Sequence, residues 1–192
     1  HGPCVRNIAT THLLDRVAEA FGETCYEVPV GFKHISAAMQ EHNAVIGGES
    51  SGGLTVRGHI NGKDGIYAAT LLVEMLSVTG KSMSQLMKEI YAEFGTAYMS
   101  EFDWPFDQEM KDQLHHLLMV EKQLPSFPIP VVATNYMDGC KVLFENGWII
   151  ARFSGTEPRL RVFCEMPTRE EAERLTAVMA EFLGLPMPAK MI

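Results

Sequence analysis

Long apolar runs, a basic leader and paired cysteines are all missing from this sequence. No stretch stays apolar over the roughly 20 residues that a membrane-spanning helix needs, so we expect no membrane association. The first residues, 1–4, lack the basic start and apolar core of a signal peptide, and without an initiator Met the chain is expected to begin inside a longer protein. The four cysteines form no C-x-x-C pair, which favours reduced thiols in a cytoplasmic protein over a disulfide framework or a zinc site.

Positive charge is also scarce, with 16 Lys and Arg residues against 24 Asp and Glu residues and a net charge of −8. This balance argues against a nucleic-acid partner, because such a surface needs many basic residues. It leaves room for a small anionic ligand, since a few clustered arginines can bind phosphate locally. The remaining composition, 46% hydrophobic and 21% charged, is ordinary for a globular protein.

The first half of the chain alternates strand and helix signals. Apolar runs at 4–9, 24–30 and 44–47 predict strands, and the segments between them predict helices. Asp64 is the predicted N-cap of a helix that reaches about Val78, and a further helix is predicted over 83–94. A strand that returns as a strand through a helix implies a right-handed crossover, so we expect a mixed, mostly parallel sheet in an α/β domain.

The second half carries a different pattern. Gly, Ser, Asp and Pro mix over 95–105, and the domain boundary is placed there, giving domains at 1–98 and 99–192. A helix is predicted over 106–120, followed by strands at 131–135, 141–144, 148–152 and 160–165, with Asp138-Gly139 and Asn146-Gly147 as hairpin turns. A capping box at Thr168 opens a last helix that ends at Gly184. These elements predict a smaller α+β domain with an antiparallel sheet and flanking helices.

The segment R-F-S-G-T-E-P-R-L-R at 152–161 carries the most chemistry and lies between two predicted strands. Arg152 and Arg161 can present planar guanidinium groups to phosphate oxygens, and Ser154 and Thr156 add hydroxyl donors. Gly155 allows the backbone to approach an anion closely. Taken alone, the composition fits a polar turn with two surface arginines equally well.

The pattern R-x-S-G-T-E-P-x-x-R resembles the phosphate-binding loop in the last domain of phosphohexomutases, the phosphoglucomutase/phosphomannomutase family, and every position of it is filled. The resemblance implies that the phosphate of a sugar phosphate is held by Arg152, Ser154, Gly155 and Thr156. It also implies that Arg161 supports or touches this phosphate, while Glu157 and Pro158 shape the loop.

A second segment, G-E-S-S-G at 48–52, resembles the sugar-recognition loop of the same family. By that resemblance, Glu49 and Ser51 read the 3- and 4-hydroxyls of the sugar, which suits a carboxylate acceptor and a hydroxyl group. Many bacterial relatives have His after the last Gly of this motif, whereas this chain has Gly53, so any role of that His is absent.

The same residues also match G-x-S-x-G, the nucleophile elbow of serine hydrolases, with Ser50 as the nucleophile. Asp64 and His115 or His116 follow in the required chain order. The elbow needs a strand-to-helix turn, however, and a β-like Leu-Thr-Val follows here. A serine hydrolase that uses Ser50 is therefore the weaker alternative.

A third segment, V-G-F-K-H-I at 30–35, resembles a stretch of the family's third domain. The resemblance implies that Lys33 reaches the active-site cleft as an auxiliary catalytic group, near the phosphate or in proton transfer. Without the resemblance, Lys33 is best interpreted as an exposed lysine at a helix start.

Two motifs of a complete phosphohexomutase do not occur: the serine loop that carries the phosphoserine, T-A-S-H-N-P, and the magnesium loop, D-G-D-x-D-R. The resemblance therefore implies the C-terminal half of such an enzyme, with a three-layer third domain followed by the C-terminal domain. The whole enzyme would interconvert hexose 1-phosphate and 6-phosphate through a phosphoserine and a bisphosphate intermediate, with Mg²⁺ and hexose 1,6-bisphosphate as activator. The expected partners are a hexose phosphate and the missing N-terminal domains.

The fragment alone is expected to be inactive, because neither the nucleophile nor a metal site is present. The alternative from a different class of function is a free-standing phosphosugar-binding module without catalysis.

Overall fold

The computed structural model describes residues 1–186, which divide into two compact units, His1–Thr96 and Ala97 onward. The first unit contains a four-stranded sheet built from β1 (Cys4–Asn7), β2 (Cys25–Val28), β3 (Ile46–Gly48) and β4 (Leu54–Val56). The strand order is β2-β1-β3-β4, in which β1 pairs in parallel with β2 and β3, and β4 pairs antiparallel with β3. The predicted mixed, mostly parallel sheet is thus confirmed.

Helices lie on both faces of this sheet. The helices of the unit are α1 (Leu13–Ala20), α2 (Phe32–Glu41), α3 (Gly65–Thr79) and α4 (Met83–Phe94). Val5 packs with Ile35 and Met39 of α2, whereas its neighbour Cys4 borders α1 on the opposite face. Successive residues of a strand point to opposite faces, so α1 and α2 form the outer layers of a three-layer α/β unit.

A side-chain cap fixes the start of α3. The side chain of Asp64 accepts a hydrogen bond from the backbone N–H of Tyr67, so its predicted role as the N-cap of α3 is confirmed. His59 Nε2 donates a further hydrogen bond to the same carboxylate at 3.0 Å, and the His59 ring stacks on the Tyr67 ring. These contacts fix the segment just before α3, which includes Lys63.

The second unit contains a five-stranded antiparallel sheet of order β5-β9-β8-β7-β6. Its strands are β5 (Tyr98–Pro105), β6 (Ala133–Asn135), β7 (Cys140–Phe144), β8 (Gly147–Phe153) and β9 (Arg159–Met166), and its helices are α5 (Gln108–His115) and α6 (Arg169–Phe182). The core combines strand residues such as Val142 and Val162 with Leu175 and Met179 of α6, all fully buried. This arrangement confirms the predicted α+β domain with an antiparallel sheet.

Two predicted segments differ from the structure. Residues 98–105 form strand β5, although their mixture of Ser, Asp and Pro suggested a linker. The strand forms because Ser100 and Trp104 face the core while Glu101 and Asp103 face outward, a period of two that Pro105 at the end of this edge strand does not interrupt. The predicted helix over 106–120 starts at Gln108 and changes to a π-helical turn at His116–Val120.

Among residues 1–186, no helix is both long enough and apolar enough to cross a membrane.

Candidate functional sites

The G-E-S-S-G loop lies at the carboxyl ends of the parallel strands of the first unit. It follows β3 directly, and Asn7, the last residue of β1, contacts it. In open α/β sheets, ligands bind outside the carboxyl ends of the strands, because the loops there can present polar groups without disturbing the sheet. The sugar-recognition motif therefore occupies the edge of the sheet at which this fold binds ligands.

Glu49 is the centre of a hydrogen-bond network at this edge. One carboxylate oxygen, Oε1, accepts from Asn7 Nδ2 at 3.2 Å and from the backbone N–H of Gly31 at 3.1 Å. The other, Oε2, lies 2.7 Å from Lys63 Nζ, and only 5% of the Glu49 side chain is exposed. Burial opposes ionisation of Glu49, but the hydrogen bonds from Lys63, Asn7 and Gly31 outweigh it and lower the pKa of the carboxyl.

Gly52 and Gly53 are needed in the loop for different physical reasons. Gly52 has φ +86°, and its N–H donates to Glu49 O, which closes the tight turn between β3 and β4. A Cβ atom on Gly53 would lie 2.7 Å from Lys63 Cδ, so the missing side chain at position 53 is what lets the Lys63 stem reach Glu49. Gly53 thus leaves space that the Lys63 side chain occupies.

Lys63 and Asn7 are the side chains of this cluster that the sequence analysis missed. Lys33, which was predicted to reach the cleft, lies exposed in the first turn of α2. Lys63 contacts Glu49, and its ammonium group also lies 5.5 Å from the centre of the Phe32 ring. Gly53 leaves space beside the loop, but the sequence does not indicate which side chain occupies it.

The other members of the loop are oriented by β1. The side-chain oxygen of Asn7 accepts from Thr10 Oγ1, which in turn accepts the backbone N–H of Ser50. Ser51, the predicted second sugar reader, is exposed at the loop tip. A cavity of about 190 Å³ borders the loop and is lined by Thr10, Leu14 and Glu49 among others.

The structure does not provide the strand-to-helix turn that a nucleophile elbow at Ser50 requires. Strand β4, not a helix, follows Ser50 in the chain. The proposed partners are engaged elsewhere, since Asp64 caps α3 and bonds His59, and His116 pairs with Glu121 at 3.2 Å. This arrangement argues against a serine hydrolase.

In the second unit, Arg152 and Arg161 face each other directly across β8 and β9. Their neighbours Ala151 and Val162 pack in the helix-side core, so the two arginines project from the other face of the sheet. Like charges opposite each other in a sheet are destabilising unless they are compensated. Such a pair therefore needs negative charge close by.

Each of the two arginines has its own carboxylate. Arg152 Nε donates to Asp138 Oδ2 at 2.8 Å, and Arg161 Nη2 donates to Glu157 Oε2 at 2.6 Å. The Arg152 side chain is only 13% exposed, whereas the Arg161 and Glu157 side chains are 34% and 51% exposed. The four groups form a cluster with no formal net charge. Within each ion pair, the arginine side chain is less exposed than its carboxylate partner.

The loop between the arginines folds back on itself. The backbone N–H of Ser154 donates to Arg159 O at 2.8 Å, while Ser154 Oγ accepts the N–H of Thr156 at 3.4 Å and the N–H of Glu157 at 3.3 Å. Gly155 and Thr156 are exposed at the tip. The structure therefore brings together all five predicted phosphate ligands within one loop and the two strands that flank it.

A metal ion needs several ligating side chains close together. Within residues 1–186, no group of three or more His, Cys, Asp or Glu side chains is placed to hold a metal ion. The described residues therefore do not fit a magnesium site.

Comparison with known proteins assigns both units to one family. Residues 1–94 match the family model described as phosphoglucomutase/phosphomannomutase, alpha/beta/alpha domain III, and residues 118–182 match the one described as phosphoglucomutase/phosphomannomutase, C-terminal domain. A phosphoglucomutase/phosphomannomutase of Thermococcus kodakarensis is 32% identical over 173 residues, which cover 89% of this chain and 35% of the relative. This chain thus spans about a third of the length of that relative.

Solved structures of related enzymes share the fold of this chain. A putative phosphomannomutase from Thermus thermophilus superposes with a TM-score of 0.71 at 29% identity, covering 94% of this chain and 35% of that one. An N-acetylphosphoglucosamine mutase of Aspergillus fumigatus, solved in complex with GlcNAc-6P and magnesium, shares the fold with a TM-score of 0.56 at 15% identity, covering 94% and 38% of the two chains.

Proposed function

The chain belongs to the phosphoglucomutase/phosphomannomutase family, as its third domain followed by its C-terminal domain, and on this premise we propose that it supplies the sugar-binding and phosphate-binding loops of an enzyme that interconverts hexose 1-phosphate and 6-phosphate. The observation that carries the proposal is the opposed pair Arg152 and Arg161 beside the Ser154–Thr156 loop. Two facing guanidinium groups, a hydroxyl-rich turn and an accessible glycine are the groups that bind a phosphate monoester.

In the first unit, Glu49 and Ser51 bind sugar hydroxyls. Glu49 is ionised and already aligned by Asn7 and Gly31, so it can accept hydrogen bonds from a sugar without reorganising. Lys63 neutralises the carboxylate and would shift to admit a hydroxyl group. Lys33 remains a proposed auxiliary group at the start of α2.

In the second unit, Arg152, Ser154, Gly155, Thr156 and Arg161 hold the phosphate that does not react. Binding this phosphate positions the substrate for a reaction at its other end, which is a use of binding energy for orientation. The two phosphoryl transfers themselves would take place at a serine outside this chain, where Mg²⁺ would offset the charge on the phosphoryl oxygens.

A titration of the 192-residue chain tests the proposal. Inorganic phosphate and glucose 6-phosphate should both perturb the amide NMR signals of residues 154–156, and glucose 6-phosphate should also perturb those of residues 49–53. Arg152→Ala should weaken binding of either ligand by about tenfold or more, because a charge-assisted contact is lost. Binding of both ligands with unchanged affinity to the Arg152→Ala variant would refute the assignment of this loop.

The second candidate is a phosphosugar-binding module without catalysis. It is compatible with the geometry, because the contacts of Glu49 with Asn7 and Gly31 and of Arg152 with Asp138 would serve binding alone as well as catalysis. An assay of the full-length protein for glucose 1-phosphate conversion separates the two, since a binding module would bind the sugar phosphate without turning it over.

A further inference from the structure

We propose that Asp138 is a positioning residue that aims Arg152 at the phosphate, and that Glu157 has the opposite effect because it competes with the phosphate for Arg161. The inference rests on the proposed phosphate-binding role of the loop. It assigns functions of opposite sign to two carboxylates that otherwise look alike, each of them forming an ion pair with one arginine of the opposed pair.

The first argument is which nitrogen each carboxylate uses. Asp138 engages Nε of Arg152, and within residues 1–186 the two η nitrogens of that guanidinium make no hydrogen bond. A guanidinium held through Nε keeps its terminal fork available for bidentate contact with phosphate oxygens. Glu157 instead engages Nη2 of Arg161, which is one of the donors that a phosphate would need.

The second argument is the rigidity of the turn that carries Asp138. Gly139 has φ +107°, and a Cβ atom there would lie 2.7 Å from Ala151 O and 3.0 Å from Arg152 Cβ. The turn between β6 and β7 therefore packs directly against the backbone of Arg152, which only glycine permits. The turn is tightened further by Asn135 Oδ1, which accepts the N–H of Met137.

The third argument is burial. The side chains of Asp138 and Arg152 are 25% and 13% exposed, so their contact is partly shielded from water. A cavity of about 290 Å³ is lined by Asp138, Gly139 and Arg152 together with His115 and Met119. By contrast, Glu157 and Arg161 lie in the more exposed part of the loop, where an ion pair exchanges readily with solvent and ligands.

The two roles predict opposite changes in phosphate affinity. Simple electrostatics predicts that removing either carboxylate strengthens the binding of an anion, because a negative charge is removed. If Asp138 positions Arg152, its removal weakens binding instead, since the freed guanidinium must be ordered again by the ligand. The sign of the change thus distinguishes positioning from competition.

The experiment is a titration of the 192-residue chain with inorganic phosphate, followed by NMR at the amides of residues 154–156, and repeated with glucose 6-phosphate. Asp138→Ala should weaken phosphate binding by about threefold or more. Glu157→Gln should tighten it by up to about fivefold. Asp112→Ala, an exposed site on α5 with the same change of charge, is the matched control and should leave the affinity unchanged.

A double variant tests that Asp138 acts through Arg152. In an Arg152→Ala background, Asp138→Ala should produce no further loss, whereas a general structural effect would add to the first loss. Asp138→Asn keeps an acceptor for Nε and should retain the affinity of the wild type. Tighter binding in Asp138→Asn, as removal of a negative charge alone would give, would contradict the positioning role, and this comparison holds even where Asp138→Ala does not fold.

The outcomes separate this inference from the proposed function. Tighter or unchanged phosphate binding in Asp138→Ala, or tighter binding in Asp138→Asn, would overturn the positioning role while Arg152→Ala still weakens binding. Unchanged binding in Arg152→Ala itself would instead refute the phosphate loop. Weaker binding in Glu157→Gln would overturn the competition between Glu157 and phosphate.

Discussion

Replacement of Glu49 gives the sharpest test of the network at the carboxyl edge of the first sheet. In Glu49→Gln, the amide oxygen can take the place of Oε1 and keep the hydrogen bonds from Asn7 and Gly31. The amide nitrogen then faces the ammonium of Lys63, donor against donor, so that contact is lost. In Glu49→Ala, all three donors lose their acceptor.

The expected magnitudes follow from burial. Lys63 is 49% exposed, so the loss of its ion pair in Glu49→Gln is discounted for solvent screening to about 1 kcal/mol or less. Glu49→Ala leaves the Asn7 side-chain amide and the Gly31 N–H without their acceptor in a partly buried place, and should lower the free energy of unfolding by about 1–3 kcal/mol. For a unit of this size, 1 kcal/mol corresponds to a fall of about 4–8 °C in Tm.

The pH dependence has a defined sign. The pKa of Glu49 is lowered in the folded state, so its stabilising contribution is fully present above the unfolded value of 4.5 and is lost as the pH falls through the folded pKa. The stability difference between the wild type and Glu49→Gln should therefore be largest near neutral pH and disappear in acid.

The assay combines thermal unfolding, followed by far-UV circular dichroism, with amide hydrogen exchange at Gly31. Exchange at Gly31 should accelerate strongly in Glu49→Ala and little in Glu49→Gln, because only the alanine variant removes its acceptor. Glu41→Gln, at the exposed end of α2, is the control. A Tm for Glu49→Ala equal to that of the control, or a Gly31 amide that exchanges as in the wild type, would refute the network.

Three further predictions follow from the same structure. The chain alone should not convert glucose 1-phosphate in the presence of Mg²⁺ and glucose 1,6-bisphosphate, and turnover above a buffer blank would contradict its inactivity. The complete enzyme should disfavour galactose 1-phosphate against glucose 1-phosphate by at least about tenfold in kcat/KM, because inversion at carbon 4 leaves Glu49 poorly paired; equal values would remove Glu49 as the reader. Thr168→Ala should cost about 1 kcal/mol in urea unfolding, because Thr168 Oγ1 accepts the Glu171 N–H at the start of α6, and an unchanged midpoint would count against that cap.

Features that depend on local sequence could be predicted well. Asp64 and Thr168 were predicted as N-caps because capping needs only a side chain and a backbone group three residues apart. The turn at Asp138-Gly139 was predicted correctly, because Gly139 adopts the positive φ that such a pair favours, and it joins the antiparallel strands β6 and β7. The turn predicted at Asn146-Gly147 lies one residue earlier, at 145–146, because Gly147 is already the first residue of β8 and pairs with Phe144.

Features that depend on distant segments could not be predicted. Strand β5 pairs with β9, more than 50 residues later in the chain. The polar residues of β5 concealed its alternation of buried and exposed positions, which this pairing imposes. The Lys63 contact depends on space left at Gly53, and the Asp138 contact depends on a strand that follows it. Neither contact is visible in the spacing of residues along the chain.

The neutral cluster around the opposed arginines also has a kinetic consequence. Because Arg152 and Arg161 are matched by Asp138 and Glu157, the cluster exerts little attraction beyond about 8 Å at physiological ionic strength. The chain as a whole carries a net charge of −8 and repels an anionic sugar phosphate at longer range. Added salt should therefore speed the arrival of the ligand by screening this repulsion, while it shortens the lifetime of the complex once phosphate and guanidinium are in contact.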